Sequence, residues 1–103
     1  MKGRTPTAAE RQWMNAIVGI GCIVCRLDKG CHSPAAVHHI DGKTKPGAHF
    51  KTLPLCFLHH QGGADCHEYV SRHPYKARFE ARYGTETELL AECQRILEWE
   101  KVA

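Results

Sequence analysis

Two short cysteine and histidine motifs constrain this chain more than any other feature. Cys22 and Cys25 form a C-x2-C pair, and Cys56 and His59 form a later C-x2-H pair. Three thiolates and one imidazole make a closed tetrahedral set of the kind that binds structural zinc. Strand-like sequence separates the two pairs, an arrangement typical of a treble-clef-like zinc finger. The sequence therefore predicts structural Zn2+ on these four residues.

Composition favours metal over disulfide bonds. The chain of 103 residues contains 6 cysteines and 8 histidines, and its first residues lack the apolar segment of a signal peptide. Cysteines kept reduced inside a cell more often bind metal. We expect a cytoplasmic protein without a membrane span, since no apolar run approaches ~20 residues. Cys31 and Cys66 are possible substitutes in the zinc set, and Cys93 is expected in the core.

The length corresponds to a single domain, residues 1–103, because one domain usually takes about 100–200 residues. Thr7 and Glu10 fit a capping box, which predicts an N-terminal helix over about 8–19 with Trp13 as a core anchor rather than a base-stacking residue. A second capping box, Thr85 to Glu88, lies between two C-terminal helices that together cover about 75–101. We expect the negative charges of Glu86 and Glu88 to stabilise the last helix, because they lie at its positive N-terminal end.

The intervening core, about 20–74, contains shorter elements. The pattern predicts a knuckle and loop over 22–37, strands at 37–41 and 52–55 around a loop at 42–49, a short helix at 56–60 and irregular chain over 61–74. The fold class is therefore a small α+β domain with a ββα core and flanking helices.

A second group of histidines is left over from the predicted zinc set. His38 and His39 are adjacent on a predicted strand and should point to opposite faces. His60 lies about 100° around the short helix from His59, and His73 follows the loop. His38, His60 and His73 would hold a metal with open coordination positions, the pattern of a catalytic site. His39 would suit a general base; the alternative is one zinc cluster plus solvated histidines.

These motifs resemble those of HNH (ββα-metal) nucleases. The shared elements are Cys22-x2-Cys25, His38-His39-Ile40 and Leu55-Cys56-x2-His59-His60. The resemblance implies a structural zinc, a metal ligand at His38, a general base at His39 and a further ligand at His60. It also implies a zinc-stabilised HNH fold and metal-dependent hydrolysis of DNA phosphodiesters.

A narrower resemblance covers roughly residues 16–98. CIVCRLDKGCHSPAAVHHID, HFKTLPLCFLHHQGG and HPYKARFEARYGTETELL are similar to phage-type recombination-enhancement (Ref) nucleases, which depend on RecA. The resemblance implies a RecA filament as partner, a role in phage recombination, and His73 as third ligand of the catalytic metal. Asp65 and His67 are rival ligands in the preceding loop.

The chain departs from the HNH pattern at its middle residue. The asparagine of that signature normally orients the base histidine, but Lys51 or Thr52 occupies its neighbourhood here. His39 therefore needs another orienting group, and Asp41 or a backbone carbonyl is a candidate.

The sequence allows several identities for the active-site metal and several residues as contacts to DNA. Three imidazoles favour Zn2+, whereas HNH enzymes often work with Mg2+ or Mn2+. The net charge of +3 is compatible with DNA binding. The acidic last helix suggests that DNA binds on another face. Candidate phosphate contacts are Lys43, Lys45, Lys51, Arg72, Lys76 and Arg78.

Two other classes of function compete with a nuclease. A treble-clef-like domain can be a non-catalytic zinc module that only binds nucleic acid or protein. In that case the spare histidines would tolerate substitution. A redox protein built on Cys22-x2-Cys25 would leave both histidine pairs unexplained.

Overall fold

The computed structural model describes residues 3–102, with side chains up to residue 99. The described chain contains four α-helices and a two-stranded antiparallel sheet. In chain order the elements are α1 (Ala8–Ile20), β1 (Ala36–His39), β2 (Thr52–Leu55), α2 (Phe57–His60), α3 (Lys76–Tyr83) and α4 (Glu86–Val102).

The capping box predicted before α1 is present in full. The Glu10 amide donates to Thr7 Oγ1 at 3.1 Å, and the Thr7 amide donates to Glu10 Oε1 at 2.8 Å. The helix ends at Gly21, whose φ of 79° favours glycine. A Cβ there would also lie 2.8 Å from the Ser33 carbonyl oxygen. Glycine is therefore required where the chain turns from α1 toward Cys22.

The hairpin of β1 and β2 fixes where the histidine pair points. His38 faces Leu53 and His39 faces Thr52 across the antiparallel register. His38 is buried and His39 is half-buried, because consecutive strand residues point to opposite faces. The predicted strand 52–55 is confirmed, whereas the predicted strand 37–41 was placed too late, since β1 begins at Ala36 and turns after His39.

Two predicted loops contain helical turns. The segment predicted as a knuckle and loop at 22–37 includes a π-helical turn, Cys25–Lys29, which ends at Gly30 with φ 65°. The predicted loop 42–49 runs into a 3₁₀ turn, Ala48–Phe50. Both turns are too short to produce a periodic apolar pattern in the sequence.

The hydrophobic core lies between the hairpin and the helices. Its fully buried side chains include Ile17 from α1, Leu53 and Leu55 from β2, Phe79 from α3 and Leu89 from α4. Trp13 packs against this core, and Cys93 is completely buried within it, as the sequence predicted.

The C-terminal helices follow the sequence closely. The α3 helix begins one residue later than predicted, at Lys76, and ends at Gly84. The capping box before α4 is confirmed: the Glu88 amide donates to Thr85 Oγ1 at 3.1 Å and Glu88 Oε1 accepts from the Thr85 amide at 2.9 Å. Among residues 3–102, no helix combines the length and apolar character needed to cross a bilayer.

Candidate metal centres and active site

The four residues of the predicted zinc set converge. Cys25 Sγ lies 3.8 Å from Cys56 Sγ, and His59 Nδ1 lies 3.6, 3.5 and 3.2 Å from the sulfurs of Cys22, Cys25 and Cys56. Tetrahedral zinc with bonds of ~2.3 Å to sulfur and ~2.0–2.1 Å to nitrogen would separate two sulfurs by about 3.8 Å and sulfur from nitrogen by about 3.6 Å. The observed separations fit a metal such as zinc.

The chemistry of these groups supports the same fit. Cys22, Cys25 and His59 are buried. Burial raises the pKa of the Cys22 thiol to about 12, so that its thiolate requires a nearby cation. Burial also lowers the pKa of His59 to about 4, with the charge of Lys29 adding to the effect. His59 is therefore neutral near pH 7, the form that binds metal.

The two ligand pairs come from separate elements of the fold. Cys22 and Cys25 follow the end of α1, while Cys56 is the N-cap of α2 and His59 lies within that helix. Cys31 and Cys66, named as possible substitutes, are both exposed and lie outside the described cluster.

A second cluster contains three imidazoles. His38 Nδ1 lies 3.2 Å from His60 Nε2, close to the ~3.3 Å that a tetrahedral metal would impose on two nitrogens. The ring of His73 is 5.2 Å from that of His38 and 5.3 Å from that of His60. One nitrogen of each ring lies within 4.8 Å of the others. The three residues could hold a metal ion.

This histidine cluster is open on one side. His38 is 2% exposed, His60 is half-buried and His73 is exposed. Burial lowers the pKa of His60 to about 4, and an electrostatic interaction with neighbouring His38 contributes. Burial also lowers the pKa of His73, together with the positive charge of Arg72. The lowered pKa values favour neutral His60 and His73, which can bind a metal on an open rim and leave positions for a substrate.

Glu86 closes the buried side of the histidine cluster. Its Oε2 accepts from His38 Nε2 at 2.6 Å, and its Oε1 accepts from Arg72 Nε at 2.8 Å. Burial raises the pKa of Glu86, but the hydrogen bonds from His38 and Arg72 outweigh burial and hold its pKa below the usual value. Because a carboxylate only accepts, His38 must carry its proton on Nε2, which leaves Nδ1 free for a metal.

His39 contacts a different partner. Its Nε2 lies 2.9 Å from Nδ1 of His49, and His49 Nε2 lies 2.5 Å from the Arg4 carbonyl oxygen. Burial lowers the pKa of His39, and electrostatic interactions with His49, Lys43 and His38 lower it further. His39 is thus neutral near pH 7 and able to accept a proton.

Asp41, proposed from the sequence to orient His39, is instead paired with Lys51 at 3.5 Å. The rival metal ligands also lie elsewhere: Asp65 pairs with Arg78, and His67 is exposed and outside the described cluster. The geometry therefore groups His73, rather than Asp65 or His67, with His38 and His60.

The basic candidates fall into two groups. Lys43 and Lys45 are exposed in the loop after β1. The others already have acidic partners: Lys51 with Asp41, Arg72 and Lys76 with Glu86, and Arg78 with Asp65. The acidic last helix does not lie wholly away from the candidate site, since its first residue, Glu86, contacts His38.

The sequence alone does not predict the contacts of two residues in this region, Glu86 and His49. The sequence indicates only a favourable charge at a helix start for Glu86, and it predicts a loop position without a role for His49. Glu86 lies 48 residues from His38, and His49 lies 10 residues from His39 across the hairpin connection. The position of His49 near His39 could have been predicted from the hairpin. If the predicted strands 37–41 and 52–55 pair in antiparallel fashion, the residues just before the second strand lie beside the end of the first.

The fold and its two clusters define a small α+β protein with one closed Cys/His site and one open histidine site. Comparison with protein families identifies it more closely. Residues 6–98 match the family described as recombination enhancement, RecA-dependent nuclease. Because this match covers most of the chain, the protein belongs to that family, and the family's description indicates a nuclease that acts in recombination.

Proposed function

We propose that this chain is a metal-dependent endonuclease of the HNH (ββα-metal) type that hydrolyses DNA phosphodiesters on RecA filaments. The observation that carries the proposal is the open cluster of His38, His60 and His73 beside His39 on the hairpin. The order of hairpin and α2 matches the ββα arrangement that the sequence resembles. Family membership supports the nuclease activity and the dependence on RecA.

The two clusters would have different roles. Cys22, Cys25, Cys56 and His59 would hold structural zinc, since all four ligand positions come from the protein. His38, His60 and His73 would hold the catalytic ion, either Zn2+, Mn2+ or Mg2+. A divalent ion bound there would supply positive charge that stabilises the negative charge developing during phosphodiester cleavage. Glu86 would keep the proton of His38 on Nε2 and leave Nδ1 available as a ligand, and Arg72 helps to keep Glu86 ionised.

His39 acts as the general base. It takes a proton from a water molecule as the water oxygen bonds to phosphorus and the bond from phosphorus to the 3′ oxygen breaks. Its lowered pKa keeps it neutral before the reaction. Lys43 and Lys45 contact DNA phosphates, because they are exposed beside the hairpin and, within the described part of the chain, have none of the acidic partners of the other basic candidates.

Cleavage of a circular plasmid tests this proposal. The wild-type chain is incubated with naked plasmid and with plasmid paired to a RecA filament, in Mg2+, Mn2+ or Zn2+. We expect cutting on the RecA-bound DNA, and a loss of about 10²- to 10⁴-fold in His39→Ala, the usual contribution of a general base.

The control for His39→Ala is its zinc content, which should equal that of the wild type. His67→Ala, which removes an exposed histidine outside the cluster, should cut normally. Absence of cutting by the wild type with every ion and both substrates would overturn the proposal and favour a non-catalytic zinc module.

A further inference from the structure

The side chain of His49 is buried although it lies in a short turn between two strands. It is 5% exposed, and both of its ring nitrogens have partners: His39 Nε2 at 2.9 Å and the Arg4 carbonyl oxygen at 2.5 Å. The first partner is the proposed general base, and the second belongs to the segment before α1.

These contacts determine where the protons lie. The Arg4 carbonyl can only accept, so His49 Nε2 must donate to it. In a neutral ring, His49 Nδ1 then carries the lone pair and accepts from His39 Nε2. A neutral His39 consequently has its own lone pair on Nδ1, the nitrogen turned away from His49.

Several backbone and side-chain contacts hold the turn around His49 in this position. Gly47 precedes the 3₁₀ turn with φ 75°, and the Ala48 amide donates to the Lys45 carbonyl at 3.0 Å. Thr52 Oγ1 donates to the His49 carbonyl at 3.2 Å, and Trp13 Nε1 donates to that hydroxyl at 2.9 Å. The turn is therefore tied to both α1 and β2.

The segment before α1 is fixed to the same loop. The Arg4 amide donates to the Lys43 carbonyl at 2.8 Å, while its carbonyl accepts from His49. Arg4 thus connects the loop after β1 to the turn before β2, and its carbonyl ends the series of hydrogen bonds that begins at His39.

We propose that His49, held by the Arg4 carbonyl, is a positioning residue that fixes His39 in the tautomer with Nδ1 free to accept a proton from water. It thereby supplies the orienting function that the HNH asparagine would have. This inference rests on the proposed role of His39 as general base. A carbonyl was expected to orient His39 directly; in this assignment it acts through a second imidazole.

Three variants separate positioning from a purely structural role. His49→Phe removes both ring hydrogen bonds, whereas His49→Asn places an amide oxygen where it can still accept from His39. We expect the cleavage rate to fall about 10- to 100-fold in His49→Phe, the usual effect of losing a partner that orients a histidine. His49→Asn should recover part of that loss, DNA affinity should be unchanged, and His67→Phe should cut normally.

A double variant supplies the decisive kinetic test. If His49 acts only through His39, His39→Ala with His49→Phe should cut at the same residual rate as His39→Ala alone. A further fall in rate in the double variant, or a full rate in His49→Phe, would overturn the inference.

Nitrogen NMR of the zinc-loaded wild-type chain tests the tautomer without any assay of activity. At a pH above the titration of its imidazoles, the His39 ring should show its proton on Nε2, and His49→Asn should retain this signature. A wild-type His39 protonated on Nδ1 would overturn the inference. Absence of cleavage by a wild type with the expected tautomer would instead count against the proposed function.

Discussion

The Glu86→Gln substitution provides a sharp test of how the open site is built. Glu86 is 3% exposed and accepts from His38 and from Arg72. Glutamine preserves the shape of the side chain but replaces one accepting oxygen with a donating NH2 group. Arg72 has no acceptor, so the remaining oxygen must face Arg72 and the NH2 group must face His38.

His38 can accept from that NH2 group only by moving its own proton from Nε2 to Nδ1. The proposed ligand atom would then lose its lone pair. We expect metal affinity at the histidine cluster to fall about 10- to 100-fold, as is usual when a partner of a metal-bound histidine is changed. Arg72 keeps its charge, so only the bond to His38 changes from a charge-assisted bond worth ~1.5–3 kcal/mol to a neutral bond worth ~0.5–1.5 kcal/mol. The free energy of unfolding should therefore fall by about 1–1.5 kcal/mol.

The assay is titration with Co2+, whose absorption separates the two clusters. Cobalt bound by cysteine thiolates gives an intense near-ultraviolet band, and cobalt bound by imidazoles alone does not. The imidazole signal should weaken in Glu86→Gln while the thiolate signal persists. Glu88→Gln is the matched control, because glutamine also serves in the capping box that Glu88 forms. Equal affinity of Glu86→Gln and wild type for cobalt at the histidine cluster would refute this reasoning.

Three further predictions concern the closed site, the core and the loop after β1. Cys25→Ser should leave the chain largely unfolded by circular dichroism, since structural zinc contributes about 10–16 kcal/mol and small domains have only ~5–15 kcal/mol of stability; Cys31→Ser, at an exposed thiol, should fold normally. Phe79→Ala should lower the free energy of unfolding in urea by about 3–5 kcal/mol, because the ring is completely buried, and a loss below ~1 kcal/mol would contradict its place in the core. Lys43→Glu with Lys45→Glu should reduce the salt dependence of DNA binding by about one unit of slope per lost phosphate contact, and an unchanged slope would exclude both lysines from the interface.

The sequence was most informative where local chemistry determines structure. Ligand spacing placed the two halves of the Cys/His cluster, and capping boxes at Thr7 and Thr85 located the starts of α1 and α4. Each of these features depends on residues three positions apart, so tertiary packing changes them little.

Contacts between distant residues were harder to predict. Glu86 has an ordinary role at a helix start in sequence terms, and only the packing of α4 against the hairpin brings it to His38. His49 lies in a loop rich in glycine, and its contact with His39 depends on the 3₁₀ turn and on Arg4. The sequence correctly indicated that His39 needs an orienting group, but the nearest acidic residue, Asp41, pairs with Lys51.

We propose that one small fold holds two metal sites of different kinds, one closed and one open. Native mass spectrometry of the zinc-saturated chain measures this directly. We expect two ions per wild-type chain and one per chain in His60→Ala, which loses an open-site ligand and retains Cys22, Cys25, Cys56 and His59. A single ion in the wild type, unchanged in His60→Ala, would show that the histidine cluster does not bind zinc.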